Sequence, residues 1–312
     1  MILKSSDAEL QFKVVHLNER LKKHSGDFKR ITKGLDASVK QSVGSKLTQI
    51  FTKTKKLTQK KQKTSRVFVL DFKGDVRAQQ LEMLREEVSL ILSGKSDGDQ
   101  VILRLESPGG MVSGYGLAAA QLARLRDAGV KLTVCVDQVA ASGGYMMACV
   151  ADRIVSAPFA VTGSIGVVAQ MPNFHRLLEK HQVDFTVYTA GEHKRSVTLF
   201  GKNSEEGEQK FQSELEHTHD LFKQLVKKYR SQLDLVKVAN GDHWYGEDAI
   251  NLGLVDELKT SDELLLEMIE SHEIYEIGLQ KKRSPVEKWL SKNAEMAINR
   301  VSDKLLRVPM GL

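Results

Sequence analysis

Cysteine is almost absent from this chain: two in 312 residues, Cys135 and Cys149. They do not stand at metal-ligand spacing, so both read as buried structural residues and leave the redox compartment open. Proline is scarce as well, at five residues. No apolar run approaches the roughly 18 residues that span a bilayer, and the N-terminus has no signal-peptide core. The chain as it stands is therefore not expected to cross a membrane. No metal-binding motif, nucleotide-binding loop or internal repeat is visible, so one catalytic unit with no metal and no cofactor is expected.

Acidic residues are missing from one long stretch, between Asp36 and Asp71, where Lys46, Lys53, Lys55, Lys56, Lys60, Lys61, Lys63 and Arg66 follow one another. Residues 1–66 hold 17 Lys or Arg against five Asp or Glu, a net of +12. The whole chain is +6, so the remaining 246 residues carry −6. The basic stretch has too little hydrophobic surface to offset the entropy of ordering, which predicts a flexible segment. It can serve as a solvated linker or contact an anionic membrane surface. Nucleic acid is not the expected partner.

What is present is an alternation of short apolar runs and helical patterns. Residues 7–35 have apolar positions at helical spacing among charges and predict an amphipathic helix. Residues 66–72, 100–105 and 131–136 read as buried strands, with helices over 77–92 and 113–128 between and after them; Gly129 closes the second helix. A short strand at 153–155, a helix around 173–181, a strand at 183–188 and a long polar helix at 205–230 follow. Strands alternating with helices predict an α/β domain with a largely parallel sheet. The expected divisions are a basic N-terminal segment at 1–65, a catalytic domain at 66–260 and a helical extension at 261–312. Within the extension, residues 286–306 have the pattern of an amphipathic helix.

The run VAASGGYMMA at 139–148 carries the most chemistry. It places Ser142 between a strand-like segment and a segment able to continue as helix, with alanines before it and glycines after it. The chain can turn sharply there, leaving the hydroxyl accessible and the following amides unpaired at a helix N-terminus. The loop SPGG at 107–110 follows a strand, and its glycines let backbone amides approach another atom closely. If adjacent strands bring the two turns together, Gly110 and Gly143 can donate to one oxyanion.

A serine nucleophile also needs a base. His175 and His181 lie on a polar helix, while His217 and His219 are two apart and face different ways. His243 sits among aromatics, and His193 lies between Glu192 and Lys194. No histidine–acid pair emerges. Lysine is the alternative, but bringing a free lysine pKa of about 10.4 to about 7 takes about 4–5 kcal/mol. That demands an apolar site and a hydroxyl or carbonyl to orient the amine, and spacing alone does not choose among the lysines.

Several motifs in order resemble the SohB-like proteases of the Ser-Lys signal peptide peptidase (SppA) family. They are LDFKG at 70–74, LRLESPGGMV at 103–112, VAASGGYMMACVAD at 139–152, SAPFAVTGSIGVVAQMPN at 156–173, TAGEHKR at 189–195 and HWYGEDAINLGLVDE at 243–257. The resemblance implies Ser142 as nucleophile, Lys194 as general base, Gly110 and Gly143 as oxyanion donors, and Ser164 as the hydroxyl orienting the lysine. It implies a crotonase-like (Clp protease-like) α/β spiral and a ring-like homo-oligomer in which neighbouring subunits can share a site. It also implies hydrolysis of hydrophobic peptides, such as cleaved signal peptides or membrane-protein fragments, through an acyl-enzyme. The implied location is the bacterial inner membrane with a periplasmic catalytic domain. Family members of this type carry a membrane anchor before the basic stretch, and none precedes it here. Two other functions compete: a crotonase-type acyl-CoA enzyme, which would use the same amide pair, and a non-catalytic scaffold working through the basic segment.

Overall fold

The computed structural model describes residues 10–39, 65–191 and 194–281. Contacts divide the chain into Val15–Glu276 and a small unit, Met1–Val14 with Ile277–Leu312. In the small unit the described residues, 10–14 and 277–281, are all strand. The basic stretch from 40 to 64 and the expected helix at 286–306 lie outside the described residues.

The chain opens with β1 (Leu10–His16), α1 (Leu17–Val39), β2 (Arg66–Lys73) and α2 (Leu81–Gly94). Next come β3 (Gln100–Glu106), α3 (Val112–Asp127), β4 (Lys131–Val136), β5 (Val139–Ala141) and α4 (Gly143–Ala148). After β6 (Arg153–Ser156) and β7 (Val161–Gly163) it continues through α5 (His175–Lys180), α6 (Glu205–Tyr229) and α7 (Leu235–Val238). It ends with β8 (His243–Tyr245), α8 (Gly246–Ala249), β9 (Glu257–Leu258), α9 (Ser261–Met268) and β10 (Glu273–Lys281).

The main sheet has the order β1-β10-β2-β3-β4-β6-β9, and every pair from β10 to β9 is parallel. Parallel neighbours need crossover connections that cover both faces, which is why β2, β3 and β4 read as almost continuous apolar runs. Alternate side chains serve opposite faces. Val67, Val69, Ile102, Cys135, Val155 and Ile274 form one buried cluster with Leu17 and with Leu264 and Leu265 of α9. On the other side, α2 and α3 bury Leu84, Val88, Ile91, Tyr115, Leu122 and Leu125. The α/β class and largely parallel sheet expected from the sequence are what the chain forms.

A second, three-stranded sheet has the order β5-β7-β8, with β5 parallel to β7 and β7 antiparallel to β8. It begins where the main sheet ends. Past the last residues of β3, Ser107 bridges Ala140 of β5: Ser107 N donates to Val139 O (2.8 Å) and Ala141 N to Ser107 O (3.0 Å). That bridge carries the chain after β3 alongside the chain after β4, so the SPGG turn and the Ser142 turn become neighbours.

Four local expectations differ from the structure. The helix expected over 7–35 begins only at Leu17, because LQFKVVH, rich in β-branched and aromatic residues, becomes β1. Asn18 fixes that junction: its side-chain amide donates to Ile269 O and His272 O and accepts from Ile274 N. The helix expected from residue 77 starts at Leu81; the Asp75 carboxylate holds the Arg77 and Gln79 amides in a turn and Ala78 takes φ +53°. Residues 183–188 form no strand, and Phe185 packs instead against Phe200 in a tilted pair, 5.5 Å between centroids. Finally, the region expected as a helical extension contains β10, whose Glu273–Glu276 pair in register with Arg66–Val69.

A largely buried ion pair braces the segment that α4 is tied to. Arg230, 4% exposed at the end of α6, donates to both Asp256 carboxylate oxygens at 2.8 and 2.7 Å and to Gly253 O at 2.8 Å. Asp256 also accepts the Ile154 amide, and Tyr145 of α4 donates to Leu254 O. Asp256→Ala leaves the guanidinium buried without its counter-charge. An expected loss of about 3 kcal/mol sits at the low end for such a break, since Asp256 keeps some exposure. Urea unfolding reads this directly, and an unchanged midpoint would contradict it.

Candidate active site

Ser142 stands at the end of β5 and the start of α4, with φ +53° and ψ −117°. Positive φ in a residue with a side chain costs about 1–3 kcal/mol and persists only where the surroundings enforce it. Here they do. The Ser142 amide donates to Gly163 O of β7 (2.9 Å), and its carbonyl accepts from Met146 N (2.9 Å). The sharp turn expected from alanines before and glycines after the serine is present.

Gly109 of the SPGG loop packs directly against this turn. A Cβ there would lie 2.7 Å from Gly143 N and 2.8 Å from Ser142 Cβ, and its φ of +93° suits glycine alone. The neighbouring Gly110 lies against the Val76 carbonyl, which accepts the Met111 amide at 2.8 Å. Gly143 rests on the ring of Tyr115, with no room for a side chain between them.

One small cleft is lined by Gly110, Val112, Ser142, Gly143, Met146, Gly166, Val167, Thr218 and Phe222. It therefore brings together three of the five residues singled out from sequence: Ser142, Gly110 and Gly143. Among the hydrogen bonds of the described residues, none uses the Gly110 or Gly143 amide. Two unpaired N–H groups beside a strained hydroxyl are what a developing oxyanion requires. Gly109, by contrast, spends its amide on Ser107 Oγ at 3.0 Å.

Among the described residues no ionisable side chain lines the cleft. Ser164 sits just outside it, half-buried, at φ +51°, with its amide donating to Asp242 O at 2.6 Å. It directly follows Gly163, whose carbonyl holds the Ser142 amide. Lys194 is exposed on the loop between α5 and α6, its amide donating to Gly191 O at 3.2 Å, and it does not line the cleft. The preceding Glu192 and His193 lie outside the described residues. Among the described residues no histidine lines the cleft; His219 of α6 places its Nε2 3.1 Å from Ile165 O.

Thr218 and Phe222 were not singled out from sequence. They stand four apart on α6 and so share a face, and Phe222 and Val226 are buried on a helix otherwise dominated by charge. That pair of apolar positions was the available signal. The methionines divide: Met146 lines the cleft, Met147 is fully buried and Met111 is exposed. Both cysteines are buried, and burial pushes each thiol up to about 12, which removes them as nucleophiles. Among the described residues no three His, Cys, Asp or Glu gather as metal ligands.

Comparison with known proteins gives the family. Residues 124–274 match the pattern of Peptidase family S49, and residues 1–122 match Peptidase family S49 N-terminal. A protein of Haemophilus influenzae named "Probable protease SohB" is 58% identical over 238 residues, covering 76% of this chain and 67% of that protein. A protein of the same name from Buchnera aphidicola subsp. Acyrthosiphon pisum is 49% identical over 248 residues, covering 80% of this chain and 73% of its own. Among solved structures, a mutant of the membrane-bound stomatin-specific protease 1510-N in complex with a substrate peptide aligns at 13% identity and a TM-score of 0.43. That alignment covers 74% of this chain and 98% of the other.

Proposed function

The chain belongs to peptidase family S49, on its SohB-like branch, and from that premise we propose that it is a serine endopeptidase using Ser142 and Lys194. The observation that carries the reading is the cleft itself: a strained serine flanked by two amides without acceptors. Lys194, as the neutral amine, takes the proton of the Ser142 hydroxyl while Oγ attacks the peptide carbonyl carbon. The Gly110 and Gly143 amides hold the resulting oxyanion. As the tetrahedral species collapses, the C–N bond breaks and the Lys194 ammonium gives its proton to the leaving amine. Water, deprotonated by Lys194, then attacks the acyl-enzyme ester and releases the acid with Ser142 restored.

A general base has to be a neutral amine held against the hydroxyl, so the reading needs Lys194 brought to Ser142 and enclosed, with the Ser164 hydroxyl orienting it. Because Lys194 is off the cleft in the single chain, we assign that closure to a ring-like homo-oligomer in which a neighbouring subunit supplies the lysine. The apolar walls, Val112, Met146, Val167 and Phe222, suit hydrophobic peptides, such as cleaved signal peptides or membrane-protein fragments. The basic segment within residues 1–65 is assigned to an anionic membrane surface, with the catalytic domain periplasmic at the inner membrane. No helix among the described residues is long and apolar enough to cross a membrane.

A fluorophosphonate probe and an apolar peptide library test the reading together. The probe is expected to modify Ser142, identified by peptide mass, and the library to yield cleavage at apolar positions. Labelling elsewhere, or cleavage that continues after Ser142 is fully modified, would overturn it.

A further inference from the structure

Behind the SPGG turn, four groups joined by three hydrogen bonds form a one-way chain. The Asp75 carbonyl can only accept, so the Tyr115 hydroxyl donates to it at 2.8 Å. Tyr115 Oη has spent its proton there, and the Ser107 hydroxyl, 2.6 Å away, must therefore be the donor to it. Ser107 Oγ in turn accepts the Gly109 amide at 3.0 Å. Ser107 and Tyr115 are both fully buried. Burial also raises the Tyr115 phenol above its ordinary pKa, keeping it a donor. All three links have a fixed direction, and an unmade bond in such a place is costly.

The chain ends in the SPGG turn. By taking the Gly109 amide it fixes the Pro108–Gly109 peptide unit, one ahead of the unit that carries the Gly110 amide; Gly110 lines the cleft, and its amide has no protein acceptor among the described residues. The same tyrosine ring lies under Gly143, the other amide of the pair. One side chain on α3 thus supports both donors, its hydroxyl on one side and its ring on the other. It does not line the cleft.

We propose that Tyr115, acting through Ser107, is a positioning residue that sets the spacing of the Gly110 and Gly143 amides in the oxyanion hole. The proposal rests on the reading of Ser142 as nucleophile. In Tyr115→Phe the ring still supports Gly143, but Ser107 loses its acceptor and the SPGG turn loses its anchor to Asp75.

The test is steady-state hydrolysis of an apolar peptide, with the matching peptide aldehyde as inhibitor, because the aldehyde's hemiacetal oxygen occupies the oxyanion site. Tyr115→Phe is expected to lower kcat about tenfold, less than the 10²–10³ for deleting a donor, with KM within about twofold. Aldehyde affinity should fall by the same factor as kcat. Ser107→Ala, which empties the middle of the chain with a smaller side chain, should match it. The double variant should be no worse than either single one, as expected for residues acting as a unit. Wild-type kcat in Tyr115→Phe, unchanged aldehyde affinity, or additive losses in the double variant would each overturn the proposal. Ser142→Ala is run alongside. If it stays active, the nucleophile reading fails first; if it is inactive while Tyr115→Phe behaves as wild type, only the positioning role fails.

Discussion

Ser142→Ala and Lys194→Ala proteins are each expected to hydrolyse apolar peptides about 10⁴-fold or more slowly than wild type, and an equal mixture of the two is expected to regain activity. The first loss follows from removing the atom that attacks. The second follows from the base role proposed for Lys194, since no ionisable side chain among the described residues lines the cleft. The recovery follows from where Lys194 stands: exposed, and away from the cleft, in the single chain. If the lysine arrives from a neighbour, a Ser142-intact subunit beside a Lys194-intact one forms a working site. Random assembly of a head-to-tail ring would then restore about a quarter of the sites. The measurement is kcat/KM before and after subunits are allowed to exchange, with exchange verified by mass. A mixture that stays inactive after verified exchange would place serine and lysine in the same chain. Retained activity in Lys194→Ala alone would remove lysine as the base.

The central strands were legible because each is buried on both faces, which leaves a continuous apolar signature. β2, β3 and β4 came out of the sequence in nearly their observed bounds, as did α3 and α6. β1 and β10 did not. Residues 10–16 satisfy helical spacing and strand alternation at once, and seven residues are too few to decide between them. What decides is a neighbour far along the chain: Asn18 is tied to residues 269, 272 and 274, and β10 pairs with β2. Such long-range pairing leaves no local trace.

The site divides along the same line. Ser142, Gly110 and Gly143 were legible because a small-residue turn after a strand is a local pattern with a chemical meaning. Gly109 is equally constrained, since its Cβ would strike Ser142 and Gly143, yet nothing in SPGG separates the two glycines without their neighbours. Thr218 and Phe222 enter the cleft from a helix more than 70 residues further on, through the packing of α6 against α4. The lysine is different again. Physical chemistry asks for an enclosed amine but does not choose which, and family resemblance alone singled out Lys194.

Gly143→Ala is expected to lower kcat by about 10²–10³ and to destabilise the fold by about 1–3 kcal/mol, although it adds one methyl group. The methyl would fall on Cγ of Tyr115. That ring has nowhere to go: it is fully buried, packs edge-on against Phe72 with centroids 6.4 Å apart, and is pinned by its hydroxyl to Asp75 and Ser107. Relief therefore has to come from α4, whose first turn holds the Gly143 amide and follows directly on Ser142. A shift of a few tenths of an ångström there moves the Gly143 amide and Ser142 together, so under the proposed mechanism the loss in rate exceeds what the packing penalty alone implies. Gly116→Ala is the matched control on α3, where an added Cβ meets nothing within 4 Å. In mid-helix that change is expected to raise stability by about 0.5–1 kcal/mol and leave kcat unchanged. Thermal unfolding and kcat measured on both variants separate the two effects. If Gly143→Ala keeps wild-type kcat while losing stability, the amide at 143 is not an oxyanion donor; if it loses neither, the contact with Tyr115 is not as tight as the geometry states.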